Sequence, residues 1–164
     1  MGSGKTTVGR ILAQRLGWEF ADLDHRVEAR DGRTVPQIFA QSGEAAFRTA
    51  EADALEELLR FQHVVIALGG GAPGTPRIRE LLAHAPETVV IHLQAPFPVL
   101  YDRCTAQALD TNATERPLLG DSEAAQARYE SRHPLYAAIA DHTADAGVPT
   151  PEAVIDEILR ALGR

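Results

Sequence analysis

The 164-residue sequence predicts an α/β fold of three layers, α/β/α, in which helices cover both faces of a central parallel sheet. Two observations lead to this prediction. Short apolar runs alternate with segments of helical periodicity, which is typical of parallel sheets. The chain also opens on a glycine-rich fragment that runs directly into a helical pattern, as phosphate-binding loops do. We expect one domain over residues 1–164, without repeats or linkers.

Apolar spacing and glycine and proline signals predict the elements of the first half of the chain. They are a helix over 5–16 that ends at Gly17, a strand over 18–23, a short helix from Thr34 to Gly43, a helix over 44–61 and a strand over 63–68. Thr34 is the expected N-cap of its helix, because a proline occupies the first turn that follows.

The second half continues the alternation of helix and strand. Its predicted elements are a helix over 76–83, a strand over 88–93, a helix over 96–104, a helix from Ser122 that Pro134 ends, and a last helix after Thr150. Residues 105–121 show no clear periodicity. We therefore expect them to form a long loop. Loops of this length in compact domains are usually lids or disordered segments.

Composition restricts the classes of partner. The formal net charge is −7, which argues against nucleic acid or an anionic membrane as the main partner. We find no apolar run long enough to cross a bilayer and no secretory signal, so no membrane partner is expected. The single cysteine, Cys104, fits a reducing cytoplasm, and the absence of a Cys/His cluster predicts no structural zinc site.

The first informative motif is the run Gly2, Ser3, Gly4, Lys5, Thr6 and Thr7, which matches the end of the pattern G-x-x-x-x-G-K-[ST]. Glycines let backbone N–H groups converge on a phosphate, and a helix N-terminus favours negative charge. Lys5 would reach the β- and γ-phosphates of a nucleotide, and the Thr6 hydroxyl would bind magnesium. The alternative is a flexible start before an ordinary helix. The apolar stripe that follows favours the nucleotide site: Val8, Ile11, Leu12 and Leu16.

The first glycine of that pattern, and the strand that should precede it, would fall before Met1. We therefore expect Met1 to be an internal methionine and the natural protein to begin roughly ten residues upstream, enough for a strand and a turn. The missing strand is expected between the strand that ends at Leu68 and the strand that ends at Leu93.

Two carboxylates, Asp22 and Asp24, follow the first predicted strand. Strand alternation would place both side chains on one face, at the carboxyl end where parallel sheets bind ligands. One carboxylate could hold a magnesium-bound water, and the other could accept a proton from a substrate hydroxyl. The alternative is that both cap the following helix, where acidic residues are favoured.

Glycines and arginines complete the candidate site. Gly69, Gly70 and Gly71 directly follow a buried strand, and they would let another group approach the backbone closely. A flexible turn is the alternative. Arginine forks match carboxylates and phosphates, so a set of arginines predicts an anionic substrate, although each one alone is more often a solvated surface charge. The arginines of this set are Arg48, Arg116 and Arg132.

These motifs together resemble the shikimate kinase family. The matching segments occur in the family's order from Gly2 to the last helix: GSGKTTVGR, FADLD, EAAFR, LGGGA, RPLL and RHPLY. The resemblance implies a P-loop kinase fold and ATP-dependent phosphorylation of the 3-hydroxyl of shikimate, in aromatic amino-acid biosynthesis. It also implies Mg²⁺ as cofactor and a cytoplasmic enzyme. We expect a monomer.

The resemblance implies roles for residues on the ATP side. Lys5 and Thr6 would bind the ATP phosphates and magnesium, and Asp22 would support the metal through water. Arg116 looks like the arginine of a lid over 105–121 that closes on the phosphates. Arg103 stands where an arginine on the adenine side is common in the family.

On the shikimate side, the resemblance implies that Arg48 and Arg132 grip the substrate carboxylate. Asp24 would orient or deprotonate the attacking hydroxyl, and the glycines around Gly70 would line the pocket. Two alternatives stay open. A gluconate-type kinase of related fold is one, and the other is a truncated remnant that binds substrate without catalysis.

Overall fold

The computed structural model describes residues 2–110 and 122–164. Within these residues the chain divides into two compact units. Lys5–Thr88 forms one, called here the N-terminal unit. The described residues of Met1–Gly4 and Val89–Arg164 form the other, called the C-terminal unit. The single domain expected over residues 1–164 stays a prediction.

The N-terminal unit contains four helices, two strands and a 3₁₀ turn. In chain order these are α1 (Lys5–Leu16), β1 (Glu19–Asp22), α2 (Leu23–Asp31), α3 (Val35–Leu58), β2 (Val64–Ala67), the 3₁₀ turn (Ala72–Gly74) and α4 (Pro76–His84). The two strands are parallel, and Asp22 at the end of β1 is level with Ala67 at the end of β2. The carboxyl ends of both strands therefore lie at one edge of the sheet.

Packing of α1 on the two strands is close because one residue of the helix has no side chain. A Cβ on Gly9 would lie 2.8 Å from the ring of Phe20 on β1. The core of this unit lies between α2 and α3 and includes the fully buried Leu23 and Leu55.

Helix α3 begins and bends as the sequence predicts. The Thr34 side chain accepts a hydrogen bond from the backbone N–H of Gln37, and the Gln37 side chain accepts one from the N–H of Thr34. At Gly43 the backbone leaves the helical region, with φ of 81° and ψ of 170°. Glycine adopts this left-handed region without steric cost, so the predicted break at Gly43 is confirmed as a kink.

The C-terminal unit has three helices and two strands in its described part. They are β3 (Ile91–Gln94), α5 (Phe97–Asp110), α6 (Ser122–Ile139), β4 (His142–Asp145) and α7 (Pro151–Ala161). Strands β3 and β4 are parallel, from Ile91 opposite His142 to Gln94 opposite Asp145. Helix α7 packs an apolar face against β4, with its N-cap at Thr150 as predicted.

Two predicted boundaries were wrong. Helix α5 continues through Thr105 to Asp110, where the sequence predicted the start of the lid. Alanine, leucine and glutamine dominate this stretch, and all three are strong helix formers. The stretch is therefore helical although its apolar residues show no helical periodicity. The other residues of the predicted lid, 111–121, lie outside the described residues.

Helix α6 does not end at Pro134 but continues to Ile139. The helical turn after Pro134 packs against β3. The ring of Tyr136 in this turn contacts the ring of His92 on β3, with 5.3 Å between the two ring centroids. Strand β4 and helix α2 were not predicted.

The four described strands form two separate two-stranded sheets, and both are parallel. The further strand expected between β2 and β3 concerns residues outside this sequence, so it stays a prediction. In the described part of the chain, no helix is both long and apolar enough to cross a membrane.

We predict that the same substitution at two phenylalanines separates core from surface. Phe47 is 3% exposed and Phe61 is 58% exposed. Phe47→Ala should lower the free energy of unfolding by about 3–5 kcal/mol, because it removes buried contacts and leaves a cavity. Phe61→Ala should stay within about 0.5 kcal/mol of the parent protein. Chemical denaturation measures both, and equal effects would contradict the described core.

Candidate active site

The phosphate-binding loop has the backbone that its sequence predicts. Gly2 and Gly4 both have left-handed dihedrals, with φ of 69° and 77°. Side chains other than glycine are strained there, so the glycines are required by the backbone. Lys5 is the first residue of α1, and Thr6 and Thr7 follow in its first turn. A helix start of this kind presents unpaired N–H groups and favourable dipole charge to an anion.

Thr6 and Asp22 meet beside this helix start. The Thr6 hydroxyl donates a hydrogen bond to the Asp22 carboxylate over 2.9 Å, although the two residues are 16 positions apart. The other carboxylate oxygen of Asp22 accepts from the backbone N–H of Asp24 at 3.2 Å, so Asp22 is also the N-cap of α2. A hydroxyl and a carboxylate at this distance are oxygen ligands of the kind that magnesium prefers.

Asp24 lies where strand alternation did not place it. It stands in the first turn of α2, one residue beyond Leu23 where the helix begins, so the strand argument for Asp24 was wrong. The alternative prediction, in which both aspartates cap the following helix, is correct for Asp22. Because Asp22 takes the cap, the chain turns from strand to helix at this point and carries Asp24 into the partly buried corner beside it.

The environment of Asp24 disfavours its charge. Burial raises the pKa of the Asp24 carboxyl above its ordinary value of 3.8, and the nearby charge of Asp22 raises it further. The positive charges of Lys5 and Arg48 lower this pKa without cancelling the increase. A carboxylate with a raised pKa beside a phosphate-binding helix is a suitable proton acceptor.

Arg48 is held by two carboxylates on its own helix. Its Nη1 donates to Oε2 of Glu51 at 2.8 Å, and Glu51 is wholly buried. Its Nε and Nη2 both donate to Oε1 of Glu44, at 3.3 and 3.1 Å. Burial alone would lower the pKa of the Arg48 guanidinium, but the hydrogen bonds and charges of Glu51 and Glu44 raise it overall.

The glycines after β2 admit these side chains. A Cβ on Gly71 would lie only 2.3 Å from Nη2 of Arg48. A Cβ on Gly69 would lie 2.9 Å from both Oδ1 of Asp24 and Oε1 of Glu51. Gly70 stands between them in the chain. Close approach of charged groups to the backbone is therefore the geometric reason for glycine here, and not a flexible turn.

Sequence reasoning missed Glu44 and Glu51. Their signal was the spacing from Arg48, four residues before and three residues after, which places all three on one helix face. Such spacing more often indicates a solvated ion pair, and nothing in the sequence alone shows that Glu51 is buried.

Three predicted arginines follow β3 in the chain, and the structure describes two of them. Arg103 on α5 donates from Nη1 to the backbone oxygen of Ala146 at 2.5 Å and from Nη2 to that of Val148 at 3.1 Å. It thus holds the loop between β4 and α7. Arg132 lies on α6 in the C-terminal unit, where its charge opposes the burial that raises the pKa of Tyr136. Arg116 lies outside the described residues, and the roles expected for all three arginines stay predictions.

In the N-terminal unit, the start of α1 thus lies at the same sheet edge as the Asp24 carboxyl and the Arg48 guanidinium, which packs closely against Gly71. This combination suits phosphoryl transfer from a nucleotide to a small anionic acceptor. The fold and the site define a P-loop kinase of the α/β class.

Comparison with known proteins gives the family. A sequence profile described as shikimate kinase matches residues 1–163. A shikimate kinase from Halorhodospira halophila is 43% identical over 166 residues, which cover 99% of this chain and 89% of that protein. One from Aromatoleum aromaticum is 39% identical over 165 residues, covering 99% and 90%. A solved structure of shikimate kinase from Acinetobacter baumannii in complex with shikimate superposes with a TM-score of 0.86 at 35% identity, covering 99% of this chain and 88% of that one.

The chain belongs to the shikimate kinase family. The family identified from the motifs is therefore confirmed, and so is the predicted α/β fold class. The gluconate-type alternative is not supported.

We predict that Asp24→Asn stabilises the folded protein at pH 7. Because the folded-state pKa of Asp24 lies above 3.8, the folded protein binds this proton more tightly than the unfolded chain does. Its stabilising contribution is complete below pH 3.8 and is lost as the pH rises through the folded-state pKa. Asparagine carries no charge at any pH, so Asp24→Asn avoids this loss of stability. The variant should melt at a higher temperature than the parent protein at pH 7, and the difference between the two melting temperatures should shrink towards pH 3.8.

Asp31→Asn is the control of opposite sign. A hydrogen bond from Arg33 lowers the pKa of the Asp31 carboxyl, so this substitution should lower the melting temperature at pH 7, by a small amount because the pair is exposed. An Asp24→Asn protein that melts below the parent at pH 7 would contradict the burial argument.

Proposed function

We propose that the chain transfers the γ-phosphoryl group of ATP to the 3-hydroxyl of shikimate, giving shikimate 3-phosphate and ADP. The family match over residues 1–163 is the observation that carries this proposal. The arrangement of the N-terminal unit supports it, because phosphoryl transfer needs positioning and charge neutralisation more than covalent catalysis.

The phosphate-binding loop and α1 serve the ATP side. Backbone N–H groups of Gly2 to Thr7 would cradle the β-phosphate, and Lys5 would reach the transferring group with its charge. Arg103, which fixes the loop between β4 and α7, is proposed on the adenine side. The lid role of Arg116 rests on the family resemblance alone.

Thr6 and Asp22 fit a magnesium ion. Their oxygens lie 2.9 Å apart at the start of α1, and nucleotide oxygens and water would complete the ligand set. We propose that Thr6 binds the ion directly and that Asp22 holds it through water. When bound, Mg²⁺ would supply positive charge that offsets the negative charge developing during transfer.

Asp24 and Arg48 serve the acceptor. The shikimate oxygen would bond to the γ-phosphorus while the bond to the β–γ bridging oxygen breaks, and Asp24 would take the hydroxyl proton. A raised pKa makes Asp24 a stronger base than an ordinary aspartate. Arg48 would bind the substrate carboxylate through a guanidinium fork, and Arg132 is proposed as its second arginine.

We propose a cytoplasmic enzyme, because ATP is available there and a chain with one cysteine needs no disulfide. The monomeric state stays a prediction. An ADP-release assay coupled to shikimate, with gluconate as the competing acceptor, tests the activity. Turnover with gluconate and none with shikimate would contradict the proposal.

We predict that Lys5→Ala lowers kcat by about 10²–10³, because it removes positive charge aimed at the transition state. The fold should be retained, since Lys5 occupies a helix start and not the core. Arg10→Ala removes a charge from the exposed face of the same helix and should leave kcat near the parent value. Near-normal kcat in Lys5→Ala would show that this loop is not the catalytic phosphate site.

We predict that Gly71→Ala weakens shikimate binding. Its Cβ would fall 2.3 Å from Nη2 of Arg48, so the guanidinium must move. Gly74→Ala is the matched control, because a Cβ there meets nothing within 4 Å. Calorimetry should show weaker shikimate binding for Gly71→Ala alone, with ATP affinity unchanged in both. Equal shikimate affinity in the two variants would remove Arg48 from the pocket.

A further inference from the structure

The two carboxylates on Arg48 occupy different edges of its guanidinium. Glu51 accepts from Nη1, whereas one oxygen of Glu44 accepts from both Nε and Nη2. The edge formed by Nε and Nη2 is a fork that matches a carboxylate in a bidentate way. Glu44 occupies this fork in the structure.

The two partners differ in how easily they can leave. The Glu51 side chain is 0% exposed, and moving it would leave a buried charge without its cation, which is strongly unfavourable. The Glu44 side chain is 67% exposed and can turn into water. An exposed ion pair between residues four apart on a helix contributes little free energy.

The remaining contacts of Arg48 also restrict where a ligand can bind. Its Cζ lies 5.2 Å from the centroid of the Phe47 ring, which covers one side of the guanidinium. A Cβ on Gly71 would lie within 2.8 Å of Nη2, Cζ and Nη1 alike, so Gly71 packs against the body of the guanidinium and not against Nε alone. Of these contacts, the one made by Glu44 comes from a highly exposed side chain, so the Glu44 edge is the edge that an incoming carboxylate can take.

We propose that Glu44 is a built-in competitor for the substrate carboxylate and that it sets the affinity of the site. The proposal rests on the assignment of Arg48 to the shikimate carboxylate under Proposed function. Shikimate binds by displacing the Glu44 carboxylate from Nε and Nη2, while Glu51 stays on Nη1 and keeps the guanidinium oriented. A ligand without a carboxylate lacks the charge to displace Glu44, so this contact also favours carboxylate substrates.

Glu44→Gln tests the competition directly, because glutamine keeps the size of the side chain and removes its charge. We expect shikimate to bind roughly two- to fivefold more tightly by calorimetry, the effect of one exposed ion pair. The KM for shikimate should fall by a similar factor, with kcat and ATP affinity unchanged.

Glu56→Gln is the matched control variant. Glu56 lies on the same helix and also pairs with an arginine four residues later, Arg60, at 3.4 Å, and it accepts a further hydrogen bond from Arg77 at 2.6 Å. Its substitution changes the net charge equally but does not touch Arg48, so shikimate affinity should equal that of the parent protein. A gain in both variants would mean that net charge alone is responsible and would overturn the proposal.

A second ligand separates competition from a merely structural effect. The carboxamide of shikimate keeps the ring and hydroxyls but has no negative charge. Glu44→Gln should not bind this amide more tightly than the parent protein does. An equal gain for acid and amide would indicate a reshaped pocket and would overturn the competition.

The opposite result for shikimate is also decisive. If Glu44 orients Arg48 for binding, Glu44→Gln will bind shikimate more weakly, and unchanged affinity would show no competition. If either result is found while the parent protein phosphorylates shikimate normally, Glu44 is not a competitor for the substrate carboxylate, and the proposed function is unaffected. A parent protein that neither binds nor phosphorylates shikimate removes both.

Discussion

The buried ion pair between Arg48 and Glu51 is the interaction on which the candidate site depends. Glu51 is wholly buried, and a buried carboxylate is tolerated only while its cation stays in place. Because both residues lie on α3, the pair holds the guanidinium in a fixed position on its own helix. It also explains the composition of the loop after β2, because both Gly69 and Gly71 lie too close to these charged groups for a side chain.

Ends of regular elements supply most of the chemistry of the N-terminal unit. The start of α1 offers N–H groups, the end of β1 supplies Asp22, the start of α2 supplies Asp24, and the glycines follow β2. Parallel strands bring their carboxyl ends to one edge, so segments distant in sequence converge without a dedicated binding domain. The Thr6 hydroxyl and the Asp22 carboxylate, for example, lie 2.9 Å apart although 16 positions separate them in the chain.

Features with local causes could be predicted from the sequence. The Thr34 cap, the kink at Gly43 and the start of α7 depend on residues within one turn, and all three were found. The continuation of α6 past Pro134 depends on contact between Tyr136 and His92, which no local signal contains. The burial of Glu51 likewise depends on its approach to Gly69, which follows β2 in the chain. Strand alternation predicted Asp24 at the end of a strand, but β1 ends at Asp22 and Asp24 lies on α2. The charges of Lys5 and Arg48 act on its carboxyl there, which suits the role proposed for it.

The kink at Gly43 has a consequence for Glu44, the next residue. Glu44 is the first residue of the helical segment that follows the break at Gly43. The first N–H groups of a helix are generally those without partners inside it. A negative side chain at such a start is favoured by the local dipole whether or not it touches an arginine. Glu44 can therefore leave Arg48 without losing all of its electrostatic stabilisation. In an unbroken helix, a Glu44 side chain that left Arg48 would have no helix start beside it to stabilise its charge. Exchange between the Glu44 carboxylate and the substrate carboxylate would then be less readily reversible.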